Sequence, residues 1–311
     1  MTVHPERPTS SGIPGTPFVG ARTSPMRRTI LKACAALVAA TPAWATSDPM
    51  PKRRLRWIAF YGQSADEQVL STYDFVVLDH LFNGSIDAVA KGGARVCSYL
   101  SLGEIRVSDT FHDRVDPAAL LEENPAWPGT RRIDVRQRSW KELILGEVIP
   151  FIAGKGFTGL LLDTLDTPPF LEQRDPNANR GMTEAAVDLV RAIHQKYPDM
   201  LLIANRGYAL LPSVIDSIDI VAAESLLTTT VEERQGEEYK YKWNEPTEVA
   251  LQLSLLARAM SKRRLPILSL DYWDPDDISS IRKIYLRQRE LGHSPYVATR
   301  MLDKIIPEPP P

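Results

Sequence analysis

Two apolar runs of this 311-residue chain end abruptly in a carboxylate. Gly159-Leu160-Leu161-Leu162 closes on Asp163, with Asp166 three residues further on, and Asp219-Ile220-Val221-Ala222-Ala223 closes on Glu224. A charged group at the end of a buried run costs free energy unless it is paired or faces a solvated cleft. Each therefore needs a partner or a task. Two carboxylates at one mouth suit glycoside hydrolysis: one protonates the leaving oxygen while the other acts as nucleophile or base. Plainer roles stand beside this one. Asp often caps the helix that follows a strand, although Pro168-Pro169 argue against a helix starting directly after Asp166. Glu224 has a structural alternative in an ion pair with Arg206, which would also tune its pKa.

Other chemistries find less in the chain. Its five histidines include no H-x-x-x-H or H-x-H pair, so a zinc site lacks ligands. His80 and His112 read as surface or supporting residues. No G-x-S-x-G elbow occurs, and Tyr61-Gly62-Gln63-Ser64-Ala65 is not a dinucleotide fingerprint. We expect neither a metal nor a cofactor. The formal charge of -2 and the lack of a basic stripe argue against nucleic acid as a partner; Lys52-Arg53-Arg54 and Lys262-Arg263-Arg264 read as solvated faces. Tyr61, Tyr99, Trp127, Tyr208, Tyr272 and Trp273 fall at or just past apolar runs, where their rings can stack on the C–H faces of sugars. Tyr272-Trp273, flanked by Asp271 and Asp274, is the favoured pair.

These residues need a frame that gathers run ends. Eight short apolar runs read as strands: 56–61, 75–79, 95–100, 159–163, 201–205, 218–224, 266–271 and 295–299. Helical patterns over 140–154, 183–196, 246–262 and 277–291 lie between several of them. Residues 132–135 read as an extra strand in the long insertion after the third run. The alternation of strand and helix predicts a single-domain α/β fold, a (β/α)8 TIM barrel over residues 46–306. About 250 residues suffice for such a barrel, and its active sites lie where the C-terminal strand ends meet. Tyr61, Asp79, Glu104, Asp163, Asn205, Glu224 and Asp271 would all meet on that face. Residues 307–311, ending in three prolines, read as a disordered tail.

The N-terminus reads as a leader. Arg27-Arg28 precede an apolar run from Ile30 to Ala40 and an A-x-A site at Ala43-Trp44-Ala45, the layout of a secretory signal removed on export. Arg27-Arg28-Thr29-Ile30-Leu31-Lys32 also resembles a twin-arginine signal, and the route stays open. The expected mature protein is periplasmic or extracellular, without membrane insertion, and a monomer. It keeps Cys97 alone, so no disulfide forms. The apolar surroundings of Cys97 suggest a buried, inert thiol.

Several segments together resemble glycoside hydrolase family 114, the endo-α-1,4-polygalactosaminidase-like barrels related to the hydrolase domain of the Pel polysaccharide system. They are Tyr73-Asp74-Phe75-Val76-Val77-Leu78-Asp79, Tyr99-Leu100-Ser101-Leu102-Gly103-Glu104, Gly156 through Asp166, Asn205-Arg206-Gly207 and Ala223-Glu224-Ser225. The resemblance spans about Trp57 to Thr299. It implies a barrel that cuts internal bonds of galactosamine-rich polysaccharide without a metal, with Asp163 and Glu224 as the catalytic carboxylates. It also implies that Asn205 sits between them on the fifth strand, and that Tyr61, Asp79 and Glu104 line the cleft. Tyr99, Asp166, Arg206, Asp271, Tyr272 and Trp273 complete the expected substrate-binding set. The Asp–Asn–Glu arrangement is similar to that of related glycosidases in which the amino-sugar group assists. Which carboxylate is the acid, the anomeric outcome and the sugar preference stay open, as does a barrel that binds glycan without cutting it.

Overall fold

The computed structural model describes residues 55–231 and 239–310; the leader reading over residues 1–45 lies outside the described residues. Eight strands run parallel and in chain order around one sheet. They are β1 (Trp57–Phe60), β2 (Phe75–Leu78), β3 (Arg95–Ser101), β4 (Gly159–Asp163), β5 (Leu201–Asn205), β6 (Ile220–Glu224), β7 (Ile267–Tyr272) and β8 (Ser294–Ala298). Between β8 and β1 the ring is fastened by side chains and loop backbone. The Trp57 indole donates to the Ser294 carbonyl at 2.9 Å, its ring meets Tyr296 edge-on, and the Tyr61 amide donates to the Leu302 carbonyl at 2.7 Å. This is the expected (β/α)8 barrel.

Strands of such a barrel are covered on both faces, so they read as unbroken apolar runs. Every residue of β1, β2 and β5 is buried. Outside the sheet, the helix Met182–Lys196 presents Met182, Ala186, Val187, Leu189, Val190 and Ile193 to the core, a spacing that places them on one face. Glu172 starts this helix from outside it, accepting the amides of Gly181 and Thr183 at 2.8 and 2.9 Å. The run expected as a single helix over 140–154 begins at Arg138 and opens into a π-helical turn at Ile144–Val148. Pro150 has no N–H to offer the carbonyl four residues back, which disturbs the helical ladder there.

The insertion between β3 and β4 folds as an antiparallel three-stranded sheet of Glu104–Arg106, Thr130–Ile133 and Leu120–Glu123, with Thr130–Ile133 in the middle. The extra strand expected at 132–135 is therefore present, two residues earlier. A hairpin of Thr228–Val231 and Lys240–Trp243 follows β6. The expectation of a loose C-terminal tail is corrected for residues 307–310. Glu308 pairs with Arg289, the Pro310 carbonyl accepts from Arg282, and Pro309 is buried. Among the described residues no helix is long and apolar enough to cross a membrane.

Candidate active site

Three neighbouring strands end in the three residues at the centre of the site. The side-chain amide nitrogen of Asn205, at the end of β5, donates to Asp163 Oδ1 at 2.8 Å and to Glu224 Oε2 at 2.5 Å. The remaining carboxylate oxygens each take a tyrosine: Tyr99 donates to Asp163 Oδ2 at 2.9 Å, and Tyr272 to Glu224 Oε1 at 2.6 Å. Tyr61 packs its ring 5.0 Å from that of Tyr99. All six residues line one cleft of about 540 Å³, inside the usual size range of ligand pockets.

The backbone just beyond these strand ends is unusual. Thr164, Arg206 and Ser225, which directly follow Asp163, Asn205 and Glu224, all have φ between 51° and 58°. Left-handed backbone is uncommon outside glycine, and for a β-branched residue such as Thr164 it is an outlier. Strain of this kind, about 1 kcal/mol or more per residue, persists where the surroundings over-determine it, and it gathers at functional sites. Thr164 shows how it is held: its hydroxyl accepts the Gly103 amide at 2.7 Å and lies 2.9 Å from the Ser101 hydroxyl.

Electrostatics separate the two carboxylates. Burial and the neighbouring charge of Asp163 raise the pKa of Glu224, against the donated hydrogen bonds of Tyr272 and Asn205. A carboxyl group whose pKa is raised in this way is suited to the part of general acid. Burial also raises the hydroxyls of Tyr61, Tyr99 and Tyr272 well above their ordinary range, and the carboxylates add to it. The tyrosines therefore stay neutral and act as donors.

Around this centre the expected residues divide. Glu104 lines the cleft but is already engaged: Asn124 donates to both its oxygens at 3.0 Å, Thr167 donates at 2.8 Å, and Arg132 lies 3.9 Å away. Asp79 accepts from the Leu81 amide and from Arg106, both at 2.8 Å, and it is Arg106 that lines the cleft. Arg206 pairs with Asp166 at 3.1 Å, so the ion pair considered between Arg206 and Glu224 is not formed. Asp166 in turn precedes a helix, Thr167–Arg174, which the two prolines open instead of blocking, since proline suits the first turn. The Asp166 side chain makes no capping bond; burial raises its pKa while Arg206 lowers it. Neither Asp166 nor Arg206 lines the cleft.

Two further expectations are corrected. Asp271 is fully buried and faces away from the cleft: it accepts the amides of Leu227 and Thr228 at 2.8 and 2.9 Å and the Gln288 side chain at 2.5 Å. It ties β7 to the hairpin and the last helix. Trp273 donates to Asp277 at 3.0 Å and packs against Trp243 and Tyr241, also away from the cleft. The reason is strand parity. β7 ends on Tyr272, which faces the cleft, so its neighbours 271 and 273 point outward. Burial pushes the Asp271 carboxyl up to about 6. Its folded pKa thus exceeds its unfolded value, and the stability linked to the proton is present in acid and lost as pH rises through about 6. Asp271→Ala is expected to cost about 2–4 kcal/mol in denaturant unfolding, because it strands three buried donors. Asp271→Asn is expected to fold nearly as stably as the parent, with the Gln288 amide turned over to accept and the neutral His293 ring accepting at Nδ1 from the turned amide, and to lose the pH dependence. Equal destabilisation by both would contradict that account.

Sequence reasoning missed Arg106, Asn124, Thr167 and Trp140, all of which line the cleft. They lie in the insertion or in helices, where no strand-end rule applies. Among the described residues no three His, Cys, Asp or Glu side chains gather as a metal site would need.

Comparison with known proteins agrees with this fold. A family model described as glycoside-hydrolase family GH114 matches residues 35–309. The solved glycoside hydrolase domain of PelA from Pseudomonas aeruginosa superposes with a TM-score of 0.69 at 25% identity, covering 81% of this chain and 98% of that one. Ega3 of Aspergillus fumigatus, solved in complex with galactosamine, shares the fold at a TM-score of 0.57 and 14% identity, over 82% of this chain and 93% of its own. An uncharacterized protein of Deinococcus radiodurans is 26% identical over 262 residues, 79% of this chain and 80% of the relative.

Proposed function

The chain belongs to glycoside-hydrolase family GH114, and from that premise we propose that it is an exported, endo-acting hydrolase of α-1,4-linked galactosamine and N-acetylgalactosamine polymer. The observation that carries the reading is the single Asn205 nitrogen bonded to both carboxylates. It holds an acid and a nucleophile at a fixed separation on the floor of a cleft with tyrosines around it. The amino-sugar preference draws support from the likeness to Ega3, whose structure holds galactosamine. Export draws on the leader pattern of the first 45 residues.

In this mechanism Glu224 begins protonated. It gives its proton to the glycosidic oxygen as the bond from that oxygen to the anomeric carbon breaks, and Asp163 attacks the same carbon to form a glycosyl ester. Glu224, now a carboxylate, takes a proton from water. The water oxygen displaces Asp163 and restores both groups. Asn205 and Tyr99 keep Asp163 oriented as the attacking anion, and Tyr272 orients Glu224.

Separation bears on stereochemistry. Because one nitrogen bonds both, the facing oxygens of Asp163 and Glu224 can be no farther apart than those two hydrogen bonds laid end to end. That limit concerns one pair of oxygens and not the whole groups, and it favours the close pairing of retaining enzymes, about 5–5.5 Å, over the wider inverting one. The first product is therefore expected to keep the anomeric configuration of the bond that was cut, as read by proton NMR during early turnover. Early appearance of the opposite anomer would remove the double-displacement scheme. The reading as a whole is tested by incubating purified protein with partially acetylated α-1,4-galactosamine polymer. Shorter oligosaccharides of many lengths support endo-hydrolysis; binding without any cleavage would instead make this a glycan-binding barrel.

A further inference from the structure

The cleft extends past the carboxylate pair, and two of its lining residues have no part in the chemistry above. Trp127 comes from the turn before the middle strand of the insertion sheet, and Arg300 from the loop after β8. In the strand order β3 and β8 flank β1 and β2, so the insertion after β3 meets the loop after β8 by reaching past the ends of those two strands. The guanidinium carbon of Arg300 lies 4.2 Å from the Trp127 ring centroid, a stacked cation–π contact. It covers one face of the indole. Trp127 is nevertheless 45% exposed, which leaves the rest of a large apolar ring open to the cleft.

Arg300 is held but not satisfied. Its Nη1 donates to the Thr230 hydroxyl at 2.5 Å, and the Tyr239 ring lies 5.2 Å away. Its Nε is buried and has no acceptor among the described residues. That nitrogen is occluded by protein, so what Arg300 presents to the cleft is its positive charge, which favours an oxygen over a cation at this corner. An unsubstituted galactosamine unit carries an ammonium group there; an N-acetylated unit carries a neutral amide whose carbonyl accepts. The acetyl methyl and the C–H face of the same sugar suit the open indole. Asp303 lines the same cleft and accepts from Thr299 at 2.9 Å. It is the group a protonated amine would choose instead.

We propose that Trp127 and Arg300 form a second sugar subsite that selects an N-acetylated, uncharged hexosamine unit of the polymer. The identity of the polymer rests on the hydrolase reading above; the preference for a neutral acetamido unit rests on the Trp127–Arg300 contact.

The test separates the two. Calorimetric titration of the Glu224→Gln protein, which binds without turnover, with acetylated and fully deacetylated α-1,4-galactosamine hexasaccharides is expected to show tighter binding of the acetylated chain. Adding Trp127→Ala is expected to weaken that binding about tenfold, the order of one well-formed ring contact, while Trp127→Phe retains most of it. Adding Arg300→Gln should abolish the difference between the two chains. No preference in the parent, or a preference that moves with Asp303→Asn and not with Arg300→Gln, overturns the subsite. Wild-type protein is assayed for cleavage of the same chains. Cleavage together with variants that bind like the parent sinks the subsite and leaves the hydrolase reading standing. Trp127- and Arg300-dependent binding without cleavage does the reverse, and absence of binding to either chain sinks both.

Discussion

Glu224→Gln is expected to lower kcat by about 10³–10⁴-fold, near the upper end of what positioned proton transfer contributes, while KM changes little. The glutamine fits the space. Its oxygen can face the Asn205 amide nitrogen and its nitrogen the Tyr272 hydroxyl, which accepts as well as donates. What it lacks is a proton to give. A second consequence separates this variant from one that simply misfolds. The folded pKa of Glu224 is raised above the ordinary 4.5, first by burial and then by the charge of Asp163. Stability linked to its proton is therefore full below about 4.5 and declines as pH rises through the folded value. The glutamine variant does not suffer that decline. It should melt higher than wild type at neutral pH and about the same in acid, while being nearly inactive at both. Wild-type kcat should in turn fall on the alkaline side as Glu224 loses its proton. A variant with near-normal turnover, or one that melts lower than wild type at neutral pH, would remove Glu224 from the role of buried acid.

Why the sequence shows Glu224 but misplaces Asp271 comes down to a single residue of register. Both follow an apolar run, and on run endings alone both belong to the barrel mouth. β6 ends on Glu224, whereas β7, whose Leu270 pairs with Glu224 across the ladder, continues two residues further to Tyr272. Successive side chains alternate between faces, so Asp271, one step beyond the rung of Glu224, turns outward to Gln288 and Tyr272 turns in. The eight strands themselves were legible because parallel barrel strands are continuously apolar. The partners of the site were not. Glu104 is bound by Asn124 and Thr167 from other elements, and Arg206 turns to Asp166 and not to Glu224. Those choices depend on where loops meet, which no local pattern encodes. The left-handed backbone at Thr164, Arg206 and Ser225 is equally silent in the sequence, since none is a glycine or asparagine.

Asp163→Ala is expected to lower kcat by at least about 10³-fold, equivalent to some 4 kcal/mol of lost transition-state stabilisation, and the manner of the loss decides between two chemistries. If Asp163 attacks the anomeric carbon, the substitution leaves a space on that face bounded by Tyr99 and Asn205, both with donors freed. A small anion such as azide or formate can enter, attack the carbon in place of the carboxylate, and accumulate as an adduct of inverted configuration. Activity should then recover in proportion to added anion. If Asp163 instead only stabilises the positive charge of the sugar transition state, no added anion restores turnover. The geometry favours direct attack. Tyr99 and Asn205 each donate to a different oxygen of Asp163, holding the group in the plane and position of a nucleophile. Glu224 is close enough to share Asn205 with it, at a spacing suited to retaining chemistry. Rescue by azide with an inverted adduct is the outcome expected. Failure of that rescue would move Asp163 from attacking the sugar to stabilising the charge that develops on it.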